Sequence, residues 1–177
     1  TGESGCGKTT IIKLINGLLQ HGGDGTLEGM VTVNSRNVSQ VPLWELSQTV
    51  GSVFQNPKSQ FFNLDTTSEV LFGLESRGAS HQEMEQALSS AARVCGVRPL
   101  LERNIFALSG GEKQRIACAS AYAMGPEIFV LDEPSSNLDG EGIRQLREIL
   151  KQLEAAGKTV LVAEHRLWYA ADLADRV

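Results

Sequence analysis

The chain has 177 residues, enough for one domain with a sizeable apolar core. Its 41% hydrophobic and 21% charged residues are ordinary for a globular protein, and no apolar run approaches the roughly 18 residues of a membrane span. A net charge of −5 leaves no basic footprint for non-specific nucleic-acid binding, and three cysteines (Cys6, Cys95, Cys118) without metal spacing suit a reducing compartment.

The chain opens with TGESGCGKTT. Gly2, Gly7, Lys8 and Thr9 match G-x-x-x-x-G-K-[ST], the phosphate-binding P-loop. The spacing has a physical reason. Glu3, Ser4, Gly5 and Cys6 lie between the two glycines, so the backbone can wrap its N–H groups around a phosphate. Gly2, Gly5 and Gly7 permit positive φ and close approach. The helix that follows aims its positive end at the same anion, and Thr10 closes the nucleotide-binding stretch after Thr9. Lys8 would neutralise the β- and γ-phosphates, and the Thr9 hydroxyl would sit on Mg²⁺. Ile11, Ile12, Leu14, Ile15, Leu18 and Leu19 supply the helical spacing. A P-loop hangs from a buried strand. Only Thr1 precedes Gly2, so the chain is expected to be a fragment of a longer protein.

His21 to Gly25 reads as a Gly-rich turn and Thr26 to Val33 as a strand, closed by a turn at Asn34, Ser35 and Asn37. Val41 to Leu46 is a short helical or irregular piece, and Thr49 to Phe54 a short strand ending at Gln55-Asn56-Pro57. Thr66-x-x-Glu69 and Ser80-x-x-Glu83 fit capping boxes that open two helices, stopped near Gly78 and at Gly96. Residues from about 65 to 106 thus form a helical insertion. Phe61 and Phe62, just before it, read either as core or as a wall of a docking groove. Ser109-Gly110-Gly111 opens a further helix through Ala123. Glu127 to Leu131 is a continuously apolar strand, buried on both faces, that ends in Asp132-Glu133-Pro134. A helix with Ile143, Leu146, Ile149, Leu150 and Leu153 inward runs to Gly157. Thr159 to Ala163 is a second buried strand, ending at Glu164-His165-Arg166, and Leu167 to Ala174 is a last helix. Alternating strands and helices predict an α/β fold with a mainly parallel sheet flanked by helices.

Chemistry-bearing residues fall where such a sheet places ligands, past strand ends and at helix starts. Asp132 is read as reaching Mg²⁺ and Glu133 as the general base that polarises an attacking water. Ser109, Gly110 and Gly111 form a second anion-binding helix start.

The octapeptide LSGGEKQR, Leu108 to Arg115, resembles the signature motif of ABC-type ATPases, with Glu112 where Gln is usual. With the P-loop and Asp132-Glu133, the resemblance covers nearly the whole chain. It implies one ABC-type ATPase domain over 1–177, truncated before the P-loop strand and after Val177. A small β subdomain and a helical subdomain at about 65–106 would complete it. It further implies that Gln55 is the Q-loop residue, within reach of Mg²⁺ and the attacking water. His165 would be the switch histidine on the γ-phosphate, and Ser136 to Asp139 the D-loop beside the nucleotide. The cofactors implied are ATP and Mg²⁺. The partners implied are a second ABC ATPase domain, in a homodimer, a heterodimer or the same chain, and an integral membrane subunit.

QNPKSQFF and AEHR at the two switch loops resemble energy-coupling-factor and cobalt-type importer ATPases, which power uptake of vitamins or transition-metal ions. That places the protein peripherally on the cytoplasmic face of the membrane. The alternative is a soluble ABC-type ATPase acting on nucleic acid or ribosomes. The long heptad insertion of the coiled-coil type is missing, and no nucleic-acid partner is expected.

Overall fold

The computed structural model describes residues 1–3, 5–22 and 26–177. After the P-loop come α1 (Lys8–Ile15) and α2 (Leu18–Gly22). Strands β1 (Thr32–Val33) and β2 (Arg36–Asn37) pair antiparallel around Asn34 and Ser35, whose φ of +48° and +62° make the primed turn that suits a right-twisted hairpin. The expected strand from Thr26 is therefore shortened to its last two residues. Gly29 breaks it at a φ of +103°, and Leu27 and Met30 lie exposed. Of the Gly-rich turn before it, Gly23 to Gly25 lie outside the described residues.

Helix α3 (Leu43–Thr49) leads directly into β3 (Val50–Val53). Next come α4 (Thr66–Ser76), α5 (His81–Val94) and α6 (Gly110–Ala123), then β4 (Ile128–Asp132), α7 (Gly140–Ala155) and β5 (Thr159–Ala163). The three longer strands form one parallel sheet in the order β3-β4-β5. β4 is central, which accounts for its unbroken apolar sequence. Phe129 and Leu131 face one cluster with Val53, Ile116, Leu146 and Leu153. Val130 faces the other, with Ile12, Val38, Leu46 and Val50. Helices α4 and α5 pack on α6 and share the larger cluster.

Three expectations need correction. β5 is not buried on both faces: among the described residues it pairs with β4 alone, and Leu161 is 40% exposed. The cap of α4 is Asp65, whose carboxylate accepts from the Thr67 and Ser68 amides. Glu69 turns away from that helix start and accepts from the amides of Phe62 and Asn63. The helix expected at Leu167–Ala174 is a single 3-10 turn, Leu167–Tyr169. Arg147 on α7 donates to the Tyr169 carbonyl and pairs with Asp172, so groups that would serve a helix are engaged elsewhere.

Because the strands are parallel, their C-terminal ends lie on one edge of the sheet. Gln55, Asp132-Glu133 and Glu164-His165 each follow one of those ends, and the P-loop helix α1 packs beside β4 and β5.

Candidate functional site

The P-loop reaches α1 through Gly7, the N-cap, at a φ of +94°. Among the described residues no side chain caps this helix, which leaves its first amides available to an anion in the loop. Gly2 also needs to be glycine: at its φ of +148° a Cβ would stand 2.6 Å from Cys6 Sγ. Lys8 folds back over the loop and donates to the carbonyls of Gly2 (2.8 Å) and Glu3 (2.9 Å). Its Nζ lies 3.8 Å from Cys6 Sγ. Glu3, Gly5, Cys6, Thr9 and Thr10 are exposed around this loop, and Ser4 lies outside the described residues.

Thr9 Oγ1 donates to Asp132 Oδ2 at 2.8 Å, joining the first turn of α1 to the end of β4. The other oxygen, Asp132 Oδ1, is buried and has no hydrogen-bond partner among the described residues. Glu133, next in the chain, is the hub of the site. Its amide donates to the Ala163 carbonyl at 2.8 Å. Gln55 Nε2 donates to its Oε2 at 2.7 Å. Its Oε1 stands 2.8 Å from His165 Nε2 and 3.9 Å from Lys8 Nζ. Lys8 Nζ is also 3.2 Å from His165 Nε2. Four residues far apart in the sequence, Lys8, Gln55, Glu133 and His165, thus meet in one polar cluster, and the Thr9–Asp132 hydrogen bond lies beside it, one residue along the chain from Lys8 and from Glu133. A carboxylate held in this way beside a phosphate-sized nest can take a proton from water, and the lysine can offset charge on an anion bound there.

Ser109, Gly110 and Gly111 are not brought to this network. They head α6, with Ser109 as N-cap in a capping box: Ser109 Oγ accepts from the Glu112 amide (3.3 Å) and Glu112 Oε2 from the Ser109 amide (2.7 Å). Glu112 therefore performs at this helix start what a Gln could also do. The Ser109 amide is the chief reason its carboxyl titrates below the ordinary glutamate value, although desolvation pulls the other way. Asp139 caps α7, accepting from the Gly142 amide at 2.8 Å. The loop between Glu133 and Asp139 passes the head of α6, and a Cβ on Gly110 would come 3.2 Å from the Asn137 carbonyl.

The sequence reading missed two supporting residues. Gln60 Oε1 accepts from the Phe54 amide at 3.1 Å and fixes the chain just before Gln55. Glu164, only 3% exposed, accepts from the amides of His165 and Arg166, from the Ser135 amide and from the Tyr169 hydroxyl. Burial works to raise its pKa, but hydrogen bonds from Ser135, the two amides and Tyr169 outweigh it and hold the carboxyl below the usual value. The available signal was an acid next to the histidine with a tyrosine five residues on.

Among the described residues no group of three or more His, Cys, Asp or Glu side chains could hold a metal, and no helix is long and apolar enough to cross a membrane. Thr9, Asp132 and Gln55 still fit Mg²⁺, which takes few protein ligands and leaves the rest to phosphate and water oxygens. The unpartnered Asp132 Oδ1 is the observation in favour.

The family model for ABC transporters matches residues 1–136. An ABC transporter ATP-binding protein of Treponema denticola is 51% identical over 99% of this chain and 36% of its own length. One from Pyrococcus horikoshii is 39% identical over 99% of the chain and 66% of its own length. The chain thus spans about a third of the first of these relatives. Among solved structures, cbiO1 of Clostridium perfringens, part of the ABC transporter complex cbiONQ, superposes with a TM-score of 0.81 at 27% identity, covering 94% of this chain and 65% of that one.

Proposed function

The chain belongs to the ABC transporter family, as an ATP-binding domain, and from that premise we propose that it hydrolyses ATP to drive uptake of a vitamin or transition-metal ion through a membrane partner. The whole of 1–177 acts as one ATPase domain, with residues 65–106 as its helical part. The likeness to cbiO1, a component of a transporter complex, supports the importer reading and the membrane partner. The domain would sit peripherally on the cytoplasmic face.

The observation that carries the hydrolytic reading is the Glu133 carboxylate, oriented by Gln55 and His165 beside the P-loop lysine. The loop amides at Gly2 to Gly7 and the start of α1 cradle the phosphates of ATP. Lys8 shifts from the loop carbonyls to the β- and γ-phosphates. Thr9, Asp132 and Gln55 would hold Mg²⁺, which supplies charge neutralisation across the phosphates when bound. Glu133 takes the proton of the attacking water. His165 keeps Glu133 in place and donates to the γ-phosphate.

In the full-length protein, Glu133→Gln is expected to lower ATP turnover by roughly 10²–10⁴-fold with ATP binding retained. A steady-state phosphate-release assay checks this. Turnover at the unmodified rate would show that Glu133 is not the base.

A further inference from the structure

Glu164 is a buried carboxylate without a cationic partner: among the described residues it joins no ion pair, and its charge is met by hydrogen-bond donors alone. Burying such a charge is costly unless every donor is in place. The donors divide by oxygen. Oε1 takes the His165 amide at 2.8 Å and the Arg166 amide at 3.1 Å. Oε2 takes the Ser135 amide at 3.3 Å and the Tyr169 hydroxyl at 3.0 Å. The first pair belongs to the segment that carries the imidazole. Ser135 lies two residues beyond Glu133 and is fully buried. Tyr169, 2% exposed, is fixed in turn through its carbonyl by Arg147 on α7.

We propose that Glu164 is a positioning residue for the reaction, a two-sided clamp that sets the His165 ring against Glu133 and ties the loop after Glu133 to the same support. The proposal rests on the hydrolytic reading above. The Glu133 amide already joins Ala163, so the two loops share one backbone bond beside the clamp. Without Glu164 the two loops would keep that bond and the His165–Glu133 contact, with nothing behind the ring to aim it. The chemistry of the side chain is specific. A glutamine has one acceptor oxygen where the carboxylate has two, and its NH₂ would face either the His165 and Arg166 amides or the Ser135 amide. Either way one side of the clamp opens.

The test is a double-mutant cycle in the full-length protein, reading kcat and KM for ATP hydrolysis. Glu164→Gln is expected to lower kcat by about tenfold or more, the size of a lost hydrogen bond to a charged group, with KM changed by less than about twofold. Acting through His165, it should cost little further in a His165→Gln background. Full kcat in Glu164→Gln, or losses that multiply independently of His165→Gln, would overturn the proposal. If Glu164→Gln fails to fold, Tyr169→Phe serves: it deletes one donor and no charge. It should lower kcat by about twofold to fivefold with the same dependence on His165, and independence there overturns the proposal equally. Glu133→Gln separates the two ideas. If it is inactive while Glu164→Gln is unimpaired, the clamp alone fails. If it is fully active, the hydrolytic reading fails and takes the clamp with it.

Discussion

Lys8 donates to the Gly2 and Glu3 carbonyls and its Nζ lies 3.2 Å from His165 Nε2, so one side chain links the loop to the segment that follows β5. Cys6 sits in the same loop with its thiol exposed. A bulky group on that sulfur would occupy the nest that the phosphates need. Alkylating Cys6 with N-ethylmaleimide in the full-length protein is therefore expected to block ATP binding, and bound ATP to protect the thiol. Equal labelling with and without ATP, followed by mass spectrometry, would refute it. Lys8, Thr9, Asp132 and Glu133 are singled out in the sequence by their offset from a glycine loop or an apolar strand, Gln55 and His165 only by the family resemblance, and the structure brings Lys8, Gln55, Glu133 and His165 together. Glu164 was not legible in the sequence. Three of its four donors are backbone amides, which every residue but proline possesses, so they leave no mark on the sequence.

At the scale of elements, a run of apolar residues does not distinguish a central strand from an edge. β4 and β5 read alike, yet among the described residues β4 pairs on both sides and β5 on one. The Ser80–Glu83 capping box was read correctly, whereas Asp65 displaced Thr66 because an acid one residue earlier competes for the same amides. The segment before α4 places its two aromatics differently. Phe61 is partly buried against the core, while Phe62 is 75% exposed and stacks on Phe72 at 4.8 Å. Glu69, itself buried, holds the amides of Phe62 and Asn63 and so presents this ring outward. On the proposed function, exposed Phe62, backed by half-buried Phe72, would meet a helix of the membrane partner. Phe62→Asp is expected to abolish ATP-driven uptake in reconstituted vesicles while basal hydrolysis persists. Loss of folding, read by thermal melting, would contradict this.

For the whole molecule, parallel pairing is what brings residues 55, 132–133 and 164–165 to one edge. The alternation of strand and helix made this foreseeable, and the order of the strands was not needed to foresee it. The second anion-binding helix start behaves differently. Ser109 to Gly111 share no hydrogen bond with the P-loop among the described residues. Two domains arranged head to tail, each P-loop closing on the other's Ser109 to Gly111, would satisfy both helix starts with one ATP apiece. Ser109→Arg should then prevent ATP-dependent association of the Glu133→Gln protein, measured by light scattering, and leave ATP binding at the P-loop intact. Association unaffected by Ser109→Arg would exclude this pairing.

Glu133 adopts a φ of +41°, a left-handed conformation that an L-residue other than glycine disfavours by about 1–2 kcal/mol. The turn that swings its carboxylate towards His165 and Gln55 is thus held at the expense of heat resistance. Ordinarily alanine is the better-tolerated replacement and glycine the worse. Here the order should invert: Glu133→Gly is expected to melt above Glu133→Ala by about 2–4 °C, since both lose the same carboxylate and only glycine relaxes the backbone. Differential scanning calorimetry of the two variants decides it, and alanine melting higher would mean that no such tension is stored. Thermal selection acting alone would favour glycine at this position; with Glu133 as the proposed base, that change would also remove turnover, so durability and activity would pull in opposite directions here.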